Sequence, residues 1–187
     1  MENIKTFYAP KGVKDVKEIE DFEMPVNCIF NKGITGCGAT EYAINQKGHT
    51  IIAMPFINLV KNKEIEDVRR ERNYEVLGVY GDICRDTIRD YAKSHETLKI
   101  LVTYDSLEKV VNTLSESDLG YDVYKDFFLL VDEYHLLFNS YSFRHKAIKK
   151  LLAIAANFER VTYMSATPIE EEFILEEIKH LPTVTVE

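Results

Sequence analysis

The sequence lacks the features of a secreted, membrane-spanning or zinc-stabilised protein. It has only three cysteines in 187 residues, and the spacing of Cys28, Cys37 and Cys84 matches none of the paired patterns that bind zinc. An odd number of cysteines without an apolar N-terminal leader is typical of a reducing compartment. No apolar run approaches the roughly 20 residues that a membrane-spanning helix needs. We therefore expect a cytoplasmic protein with no membrane partner.

Positive charge is also scarce. Lysine and arginine number 23 against 31 aspartates and glutamates, which gives a formal net charge of -8. Domains that bind nucleic acid usually carry a basic face, so the overall charge is no signature of nucleic-acid binding. Three short basic clusters remain as candidate strips, namely Lys61 with Lys63, Arg69 with Arg70 and Arg72, and Lys146 with Lys149 and Lys150. Solvated helix faces explain such clusters more simply than a binding strip does.

The chain does contain a regular alternation of strand-length apolar runs with helical stretches, and its length suits one α/β domain. The seven predicted strands are Val26–Phe30, Thr50–Met54, Glu75–Tyr80, Lys99–Thr103, Phe127–Asp132, Arg160–Met164 and Thr183–Val186. Several of these runs are apolar at nearly every position, which is typical of parallel strands covered on both faces. The pattern predicts an α/β fold, in which helices wrap a mainly parallel sheet of about seven strands.

Two helices and the N-terminal segment complete this prediction. The stretch Arg144–Asn157 is predicted to be a helix with one apolar face. That face consists of Ile148, Leu151, Leu152 and Ala155. The stretch Pro168–Lys179 begins with a proline followed by acidic residues, and both suit the first turn of a helix. Residues 1–25 are more polar, so we expect a lead-in that packs on the edge of a domain spanning residues 26–187.

A glycine-rich loop follows the first predicted strand. Phosphate-binding loops have two glycines separated by four residues, then a lysine and a serine or threonine. Gly33 and Gly38 have this spacing, and Gly36 adds the freedom that lets backbone N–H groups point at an anion. Thr40 occupies the position whose hydroxyl would bind Mg²⁺. The residues predicted to bind nucleotide are Lys32, Gly33, Ile34, Thr35, Gly36, Cys37, Gly38, Ala39 and Thr40.

The loop departs from this pattern at Ala39, where the lysine is expected. That lysine reaches the β- and γ-phosphates and offsets their charge, which a methyl group cannot do. Either the loop binds nucleotide weakly and does not support hydrolysis, or another cation replaces the lysine. Lys32, just before the loop, is the nearest candidate. In the third interpretation the loop is a glycine-rich turn that binds nothing.

An acidic motif follows the apolar predicted strand Phe127–Asp132. Asp132 ends the strand, and Glu133, Tyr134 and His135 come directly after it. An aspartate at such a strand end can hold Mg²⁺, and the adjacent glutamate can orient and deprotonate an attacking water. His135 would couple the nucleotide state to neighbouring loops. In the alternative interpretation, the motif is only a charged strand end followed by a turn.

In combination, these motifs resemble those of superfamily 2 helicases of the DExH kind. Residues 132–135 are similar to motif II of that family, and Ser165-Ala166-Thr167-Pro168 is similar to motif III. Residues 54–59 and 101–107 resemble motifs Ia and Ib. The resemblance covers nearly the whole chain after Pro25, and it implies a P-loop NTPase fold of the RecA-like type, a three-layer sandwich.

The resemblance also implies roles for individual residues. Catalysis would involve Asp132, Glu133 and His135, and Mg²⁺ would be held by Thr40 and Asp132. The residues that would couple the ATP site to nucleic acid are Ser165, Ala166 and Thr167. The residues that would contact the backbone of a nucleic-acid strand are Pro55, Asn58, Thr103 and Asp105.

The implied function is the ATP-binding domain of a nucleic-acid-dependent, helicase-type ATPase that uses ATP and Mg²⁺ and has a degenerate phosphate-binding loop. Such ATPases need a second RecA-like domain, in cis or in trans, which supplies an arginine finger. The isolated domain is therefore expected to hydrolyse ATP weakly or not at all. Single-stranded or duplex nucleic acid is the expected partner of the complete protein. The alternative is a hydrolysis-deficient pseudo-ATPase that binds a protein or a single strand, and Ala39 is the residue that supports it.

Overall fold

The structure is a computed structural model that describes residues 5–9, 13–69, 74–139 and 141–187. Within these ranges, eight strands form one sheet, in which every pair of neighbours is parallel. The strands are β1 Lys5–Phe7, β2 Cys28–Asn31, β3 His49–Met54, β4 Val76–Val79, β5 Lys99–Thr103, β6 Phe127–Asp132, β7 Arg160–Ser165 and β8 Thr183–Val186. Their order across the sheet is β1-β8-β2-β7-β6-β3-β5-β4.

Helices cover both faces of this sheet. In the described part of the chain they are α1 Ala39–Asn45, α2 Ile57–Arg69, α3 Arg85–Ser94, α4 Leu107–Leu114, α5 Val123–Asp126, α6 Leu136–Asn139 and α7 Tyr141–Ala155. Two apolar clusters lie on opposite sides of the sheet, and alternate residues of the same strand belong to different clusters. In β3, for example, Ile51 and Ala53 join one cluster, whereas Ile52 and Met54 join the other. The predicted three-layer α/β sandwich with a parallel sheet is thus confirmed.

The central strands form because they are apolar on both faces. All six residues of β6 are buried, as are all five residues of β5. A strand buried on both sides gains hydrophobic free energy from side chains on both faces, which explains why these strands are apolar at nearly every position. The sequence signal is therefore strongest in the middle of the sheet, and the candidate site lies at the carboxyl end of this part.

The eighth strand was not predicted. β1 lies in the segment expected to be a lead-in and pairs in parallel with β8, with Lys5 opposite Val184. It is only three residues long, so it carries no periodic apolar signal. Phe7 and Phe22 from this segment are buried, and their ring centroids lie 5.2 Å apart. The domain boundary at residue 26 remains a prediction.

The two predicted helices had different outcomes. Helix α7 confirms the first, and the four residues predicted to face the core are all buried. The prediction of a helix over Pro168–Lys179 is wrong, since this stretch contains only a short 3-10 helix, Glu171–Phe173, and turns. Ile174, Leu175 and Ile178 reach the core from these turns, so tertiary packing overrides the local helix signal.

The three basic clusters of the sequence also differ in what the structure shows. The Lys61 side chain packs over the ring of Tyr80 at 5.1 Å, while Lys150 forms an ion pair with Glu108 at 2.6 Å. The cluster of Arg69, Arg70 and Arg72 lies outside the residues whose side chains are described. No helix in the described ranges is long and apolar enough to cross a membrane.

Candidate nucleotide-binding site

The glycine-rich loop connects the end of β2 to the start of α1. Gly33, Gly36 and Gly38 all have positive φ angles, of 71°, 78° and 74°, a region that residues with side chains rarely adopt. At Gly33 the need for glycine is also steric, because a Cβ atom there would lie 2.7 Å from the backbone oxygen of Val186. The loop conformation therefore depends on the glycines that the spacing singled out.

The N-terminal segment holds this loop in place from outside. The backbone N–H of Val16 donates a hydrogen bond of 2.8 Å to the carbonyl of Cys37, and the Val16 side chain is buried. Burial raises the pKa of the Cys37 thiol above its usual value, so the thiol adds no negative charge to the loop at neutral pH. Sequence reasoning missed Val16, which carries no motif.

Three charged side chains meet at the mouth of the loop. The Lys32 ammonium donates hydrogen bonds of 3.1 Å to Oδ1 of Asp132 and of 3.1 Å to Oε1 of Glu133. The other carboxylate oxygen of Asp132, Oδ2, accepts a 3.0 Å hydrogen bond from the Thr40 hydroxyl. Asp132 ends β6 and Lys32 follows β2, so the Lys32 side chain crosses the end of the intervening strand β7. The structure thus brings together four residues that the sequence assigned to nucleotide binding, Mg²⁺ binding and catalysis.

Burial strengthens the electrostatic attraction between the charged groups of this cluster. Lys32 is 5% exposed and Asp132 is 7% exposed. Burial alone would lower the pKa of Lys32, but the attraction of Asp132 and Glu133 outweighs it and raises that pKa above its ordinary value. Lys32 is therefore a cation throughout the physiological pH range.

The chain turns sharply after Asp132. Glu133 has a φ of 54°, which is uncommon for a residue with a side chain. Its N–H donates a 3.0 Å hydrogen bond to Oδ1 of Asp132. Tyr134 points into the core and is almost fully buried, and its N–H donates to the carbonyl of Met164 in β7. Tyr134, the third of the four residues in the acidic motif, therefore has a structural role.

Ser165, at the end of β7, links this motif to the following loop. Its hydroxyl oxygen lies 2.8 Å from Nδ1 of His135, and it accepts a 2.9 Å hydrogen bond from the N–H of Thr167. Nδ1 of His135 also lies 3.3 Å from Oε2 of Glu133. Ala166 and the exposed Thr167 side chain lie beyond this network. Two of the three predicted coupling residues, Ser165 and Thr167, thus form part of one chain of polar contacts that ends at Glu133.

The cavity around these groups, here called the cleft, has a volume of about 480 Å³. It is lined on one side by Lys32, residues 35–41, Asp132 and Glu133. The other wall comes from β3 and α2, and sequence reasoning missed it. Its residues are Met54, Leu59, Asn62 and Lys63. The last three are spaced as one face of a helix, a signal that could have been read from the sequence.

A second cavity, here called the outer groove, lies beside the cleft and has a volume of about 800 Å³. All four residues predicted to contact nucleic acid line it, because β3 and β5 are neighbours and their carboxyl ends adjoin. The remaining lining residues are Phe56, Ile57, Gly81, Ser106 and Lys109. Phe56 is 53% exposed and Ile57 is 43% exposed. The Lys109 ammonium donates 2.9 Å hydrogen bonds to the carbonyls of Gly81 and Ile83.

No protein-family model matches the sequence, and no curated protein matches it. Similar solved structures do exist. The helicase domain of Hef from Pyrococcus furiosus shares 18% identity with a TM-score of 0.55, over 88% of this chain and 36% of that chain. A hypothetical ATP-dependent RNA helicase from Sulfolobus tokodaii shares 18% identity with a TM-score of 0.51, over 85% of this chain and 48% of that chain.

The helicase MrfA, whose structure was solved with DNA and AMPPNP, shares 16% identity with a TM-score of 0.55, over 86% of this chain and 24% of that chain. This chain thus covers less than half of each of these three structures. Identities this low are informative about the fold alone. The similar solved structures, together with the parallel sheet and the position of the glycine-rich loop, show that the chain has the helicase-like RecA fold.

Proposed function

We propose that the cleft binds Mg-ATP and that the chain is the ATP-binding half of a nucleic-acid-dependent, helicase-type ATPase. One observation carries this proposal, namely that Thr40, Asp132 and Glu133 converge at the mouth of the glycine-rich loop. The cleft lies at the carboxyl edge of a parallel sheet, where ligands of such folds bind. The helicase-like fold and the bound AMPPNP of the similar MrfA structure support the same assignment.

The residues present fit a magnesium ion held together with a nucleotide. Mg²⁺ prefers oxygen ligands and usually binds through one or two carboxylates together with substrate phosphates. The Thr40 hydroxyl and the Asp132 carboxylate, which are hydrogen bonded to each other, would supply the protein oxygens. When bound, the ion offsets part of the charge on the phosphates.

The other groups of the cleft would position and activate the reactants. The backbone N–H groups of residues 35–38, which line the cleft, would bind the phosphates, since the positive φ angles of the glycines expose such groups in these loops. Glu133 would accept a proton from the attacking water. The contacts from Glu133 through His135 to Ser165 and Thr167 would transmit the state of the nucleotide to the loop after β7.

The outer groove would hold the nucleic-acid strand. It adjoins the cleft and gathers Pro55, Asn58, Thr103 and Asp105 from two neighbouring strand ends. The similar MrfA structure was solved with DNA, which supports nucleic acid as the ligand class. A second RecA-like domain, in cis or in trans, would close the cleft and supply an arginine, so we expect this chain alone to hydrolyse ATP slowly.

Calorimetric titration of Mg-ATP tests the proposal. We expect saturable binding to the wild-type chain and at least a tenfold loss of affinity in Asp132→Asn, which keeps the size of the side chain but removes its charge. Thr97→Ala, before β5 at the opposite edge of the sheet, is the matched control and should bind normally. A wild-type chain that does not bind at millimolar Mg-ATP would contradict the proposal and favour a binding module without nucleotide.

A further inference from the structure

The cleft has a phosphate-binding loop but no cation at the position that normally supplies one. Ala39 is 2% exposed, and its methyl group cannot reach a ligand as a lysine would. The positive charge that the loop lacks is nevertheless present nearby. We propose that Lys32 supplies the ammonium group that neutralises the nucleotide phosphates, in place of residue 39. This inference rests on the proposed nucleotide-binding function of the cleft.

The position of Lys32 makes this substitution feasible. Its backbone is fixed, because its N–H donates a 2.9 Å hydrogen bond to the carbonyl of Ser165. Its side chain is a flexible chain of four methylene groups that already extends into the cleft, where the ammonium lies within 3.1 Å of both carboxylates. It lines the same cavity as Gly36, Gly38 and Thr40. A rotation about its side-chain bonds is enough to turn the ammonium from the carboxylates towards the loop.

The charges explain when Lys32 would change partner. A buried ammonium needs a partner of opposite charge, and Asp132 and Glu133 provide two in the state without nucleotide. Asp132 is also the residue that would hold Mg²⁺ through its carboxylate. A bound metal ion would therefore neutralise the Asp132 carboxylate and weaken its attraction for the Lys32 ammonium. The ammonium would then contact the phosphates. Lys32 would act as a counter-ion of the acidic pair in one state and of the nucleotide in the other.

Lys63 is the competing candidate. Among the described residues that line the cleft, Lys32 and Lys63 are the two lysines. Lys63 lies on α2, across the cleft from the loop, and is only half-buried. Lys32 directly precedes the loop and is in contact with the carboxylate that Thr40 also contacts. The geometry therefore favours Lys32.

A set of four proteins tests this inference by titration, namely wild type, Lys32→Ala, Ala39→Lys and the double variant. We expect Lys32→Ala to weaken Mg-ATP binding about 10- to 100-fold, the effect of losing one charge-assisted contact in a buried site. Adding Ala39→Lys to Lys32→Ala should restore most of the affinity, because the ammonium then comes from the usual position. Lys47→Ala, at an exposed site, should bind like wild type.

Two further measurements separate a phosphate contact from a general structural effect. Loss of a phosphate contact should weaken ATP much more than adenosine, whereas a distorted cleft would weaken both. Lys32→Met keeps the length of the side chain without its charge, so it should behave like Lys32→Ala if the folded fraction is equal in thermal unfolding.

The outcomes distinguish this inference from the proposed function. Equal ATP affinity in wild type and Lys32→Ala would overturn the role of Lys32 alone, as would a loss confined to Lys63→Ala. No ATP binding by the wild-type chain would overturn both the role of Lys32 and the proposed function.

Discussion

Two cavities adjoin at the carboxyl edge of the sheet, and their linings differ in burial and charge. In the cleft, Lys32 and Asp132 are almost fully buried, and the Asp132 carboxylate contacts both Lys32 and Thr40. In the outer groove, Phe56 and Ile57 are about half exposed, and the one lysine among its described lining residues donates to backbone carbonyls. The cleft therefore fits a small, highly charged ligand, while the groove presents apolar surface to a larger one.

This difference predicts how each cavity responds to mutation. Buried, mutually dependent groups leave unpaired charges when one is removed, so changes in the cleft should be costly. Removing an exposed apolar side chain leaves no unpaired charge, so changes in the groove should alter ligand binding more than protein stability.

The largest effect is expected at Gly33. Gly33→Ala combines a positive φ with a close approach to the backbone oxygen of Val186, so we expect about 3 kcal/mol less unfolding free energy. Gly81→Ala in the outer groove has a positive φ but open space around the added Cβ, and should cost about 1 kcal/mol. Urea unfolding of both variants measures the difference. Equal losses would contradict the steric role of Gly33.

The next effect concerns the binding of a nucleic-acid strand in the outer groove. Phe56→Ala should weaken the binding of a single-stranded oligonucleotide about tenfold, because base–aromatic stacking contributes about 1–3 kcal/mol per base. Phe56→Trp, which keeps an aromatic face, should retain binding. Fluorescence anisotropy measures both affinities. The wild-type chain should bind an oligonucleotide with abasic sites about tenfold more weakly than the normal oligonucleotide, the same loss that Phe56→Ala causes. If the wild-type chain binds both oligonucleotides equally, base stacking is ruled out.

The salt dependence of oligonucleotide binding tests whether the outer groove is as weakly charged as its lining indicates. The groove has one lysine and one aspartate among its lining residues, so a strand bound there should release few of its own counter-ions. We therefore expect a slope of log affinity against log salt concentration of about -1 or shallower. A steep slope in anisotropy titrations at several salt concentrations would show that phosphate contacts outside the groove dominate.

The smallest effect is expected at Lys99, a second buried lysine, which lies at the opposite edge of the sheet. Lys99 donates to the carbonyl of Gln46 and the hydroxyl of Thr50, and burial lowers its pKa to about 8. Between that value and the unfolded pKa of about 10.4, the unfolded chain binds more protons. Stability should therefore rise with pH across this window.

The variant Lys99→Met isolates this contribution. It should remove the rise. At pH 7 it should change the unfolding free energy by less than about 1 kcal/mol, because the removed charge penalty is offset by two lost hydrogen bonds and by the lost contact of the ammonium with the Tyr74 ring at 4.8 Å, each worth about 1 kcal/mol. Thermal unfolding from pH 7 to pH 10 measures it, and parallel pH profiles of the two proteins would contradict the assignment.

The sequence predicted those parts of the molecule that rest on local patterns. The central strands could be found because burial on both faces demands apolar residues throughout, and the loop glycines could be found because their backbone conformation demands them. β1 could not be found, since its pairing with β8 depends on residues distant in the sequence. The helix predicted after Pro168 was wrong because its apolar residues reach the core from turns.

The same limit applies to the candidate site. Spacing identified Lys32, Thr40 and Asp132 individually, but not that the Lys32 ammonium bridges Asp132 and Glu133. That contact depends on the order of strands in the sheet, which places β2 and β6 on either side of β7. The opposite wall of the cleft, with Asn62 and Lys63, depends on how α2 packs beside the strands.

Hydrogen exchange with and without Mg-AMPPNP tests whether the cleft is the nucleotide site, because it reports on both cavities in one experiment. We predict that the nucleotide slows amide exchange in residues 32–41 and at Asp132 and Glu133, and leaves residues 55–58 of the outer groove nearly unchanged. At a nucleotide concentration that just saturates the wild-type chain, Asp132→Asn should show much weaker protection. Protection confined to the groove, or none at saturating nucleotide, would contradict the assignment of the cleft as the nucleotide site.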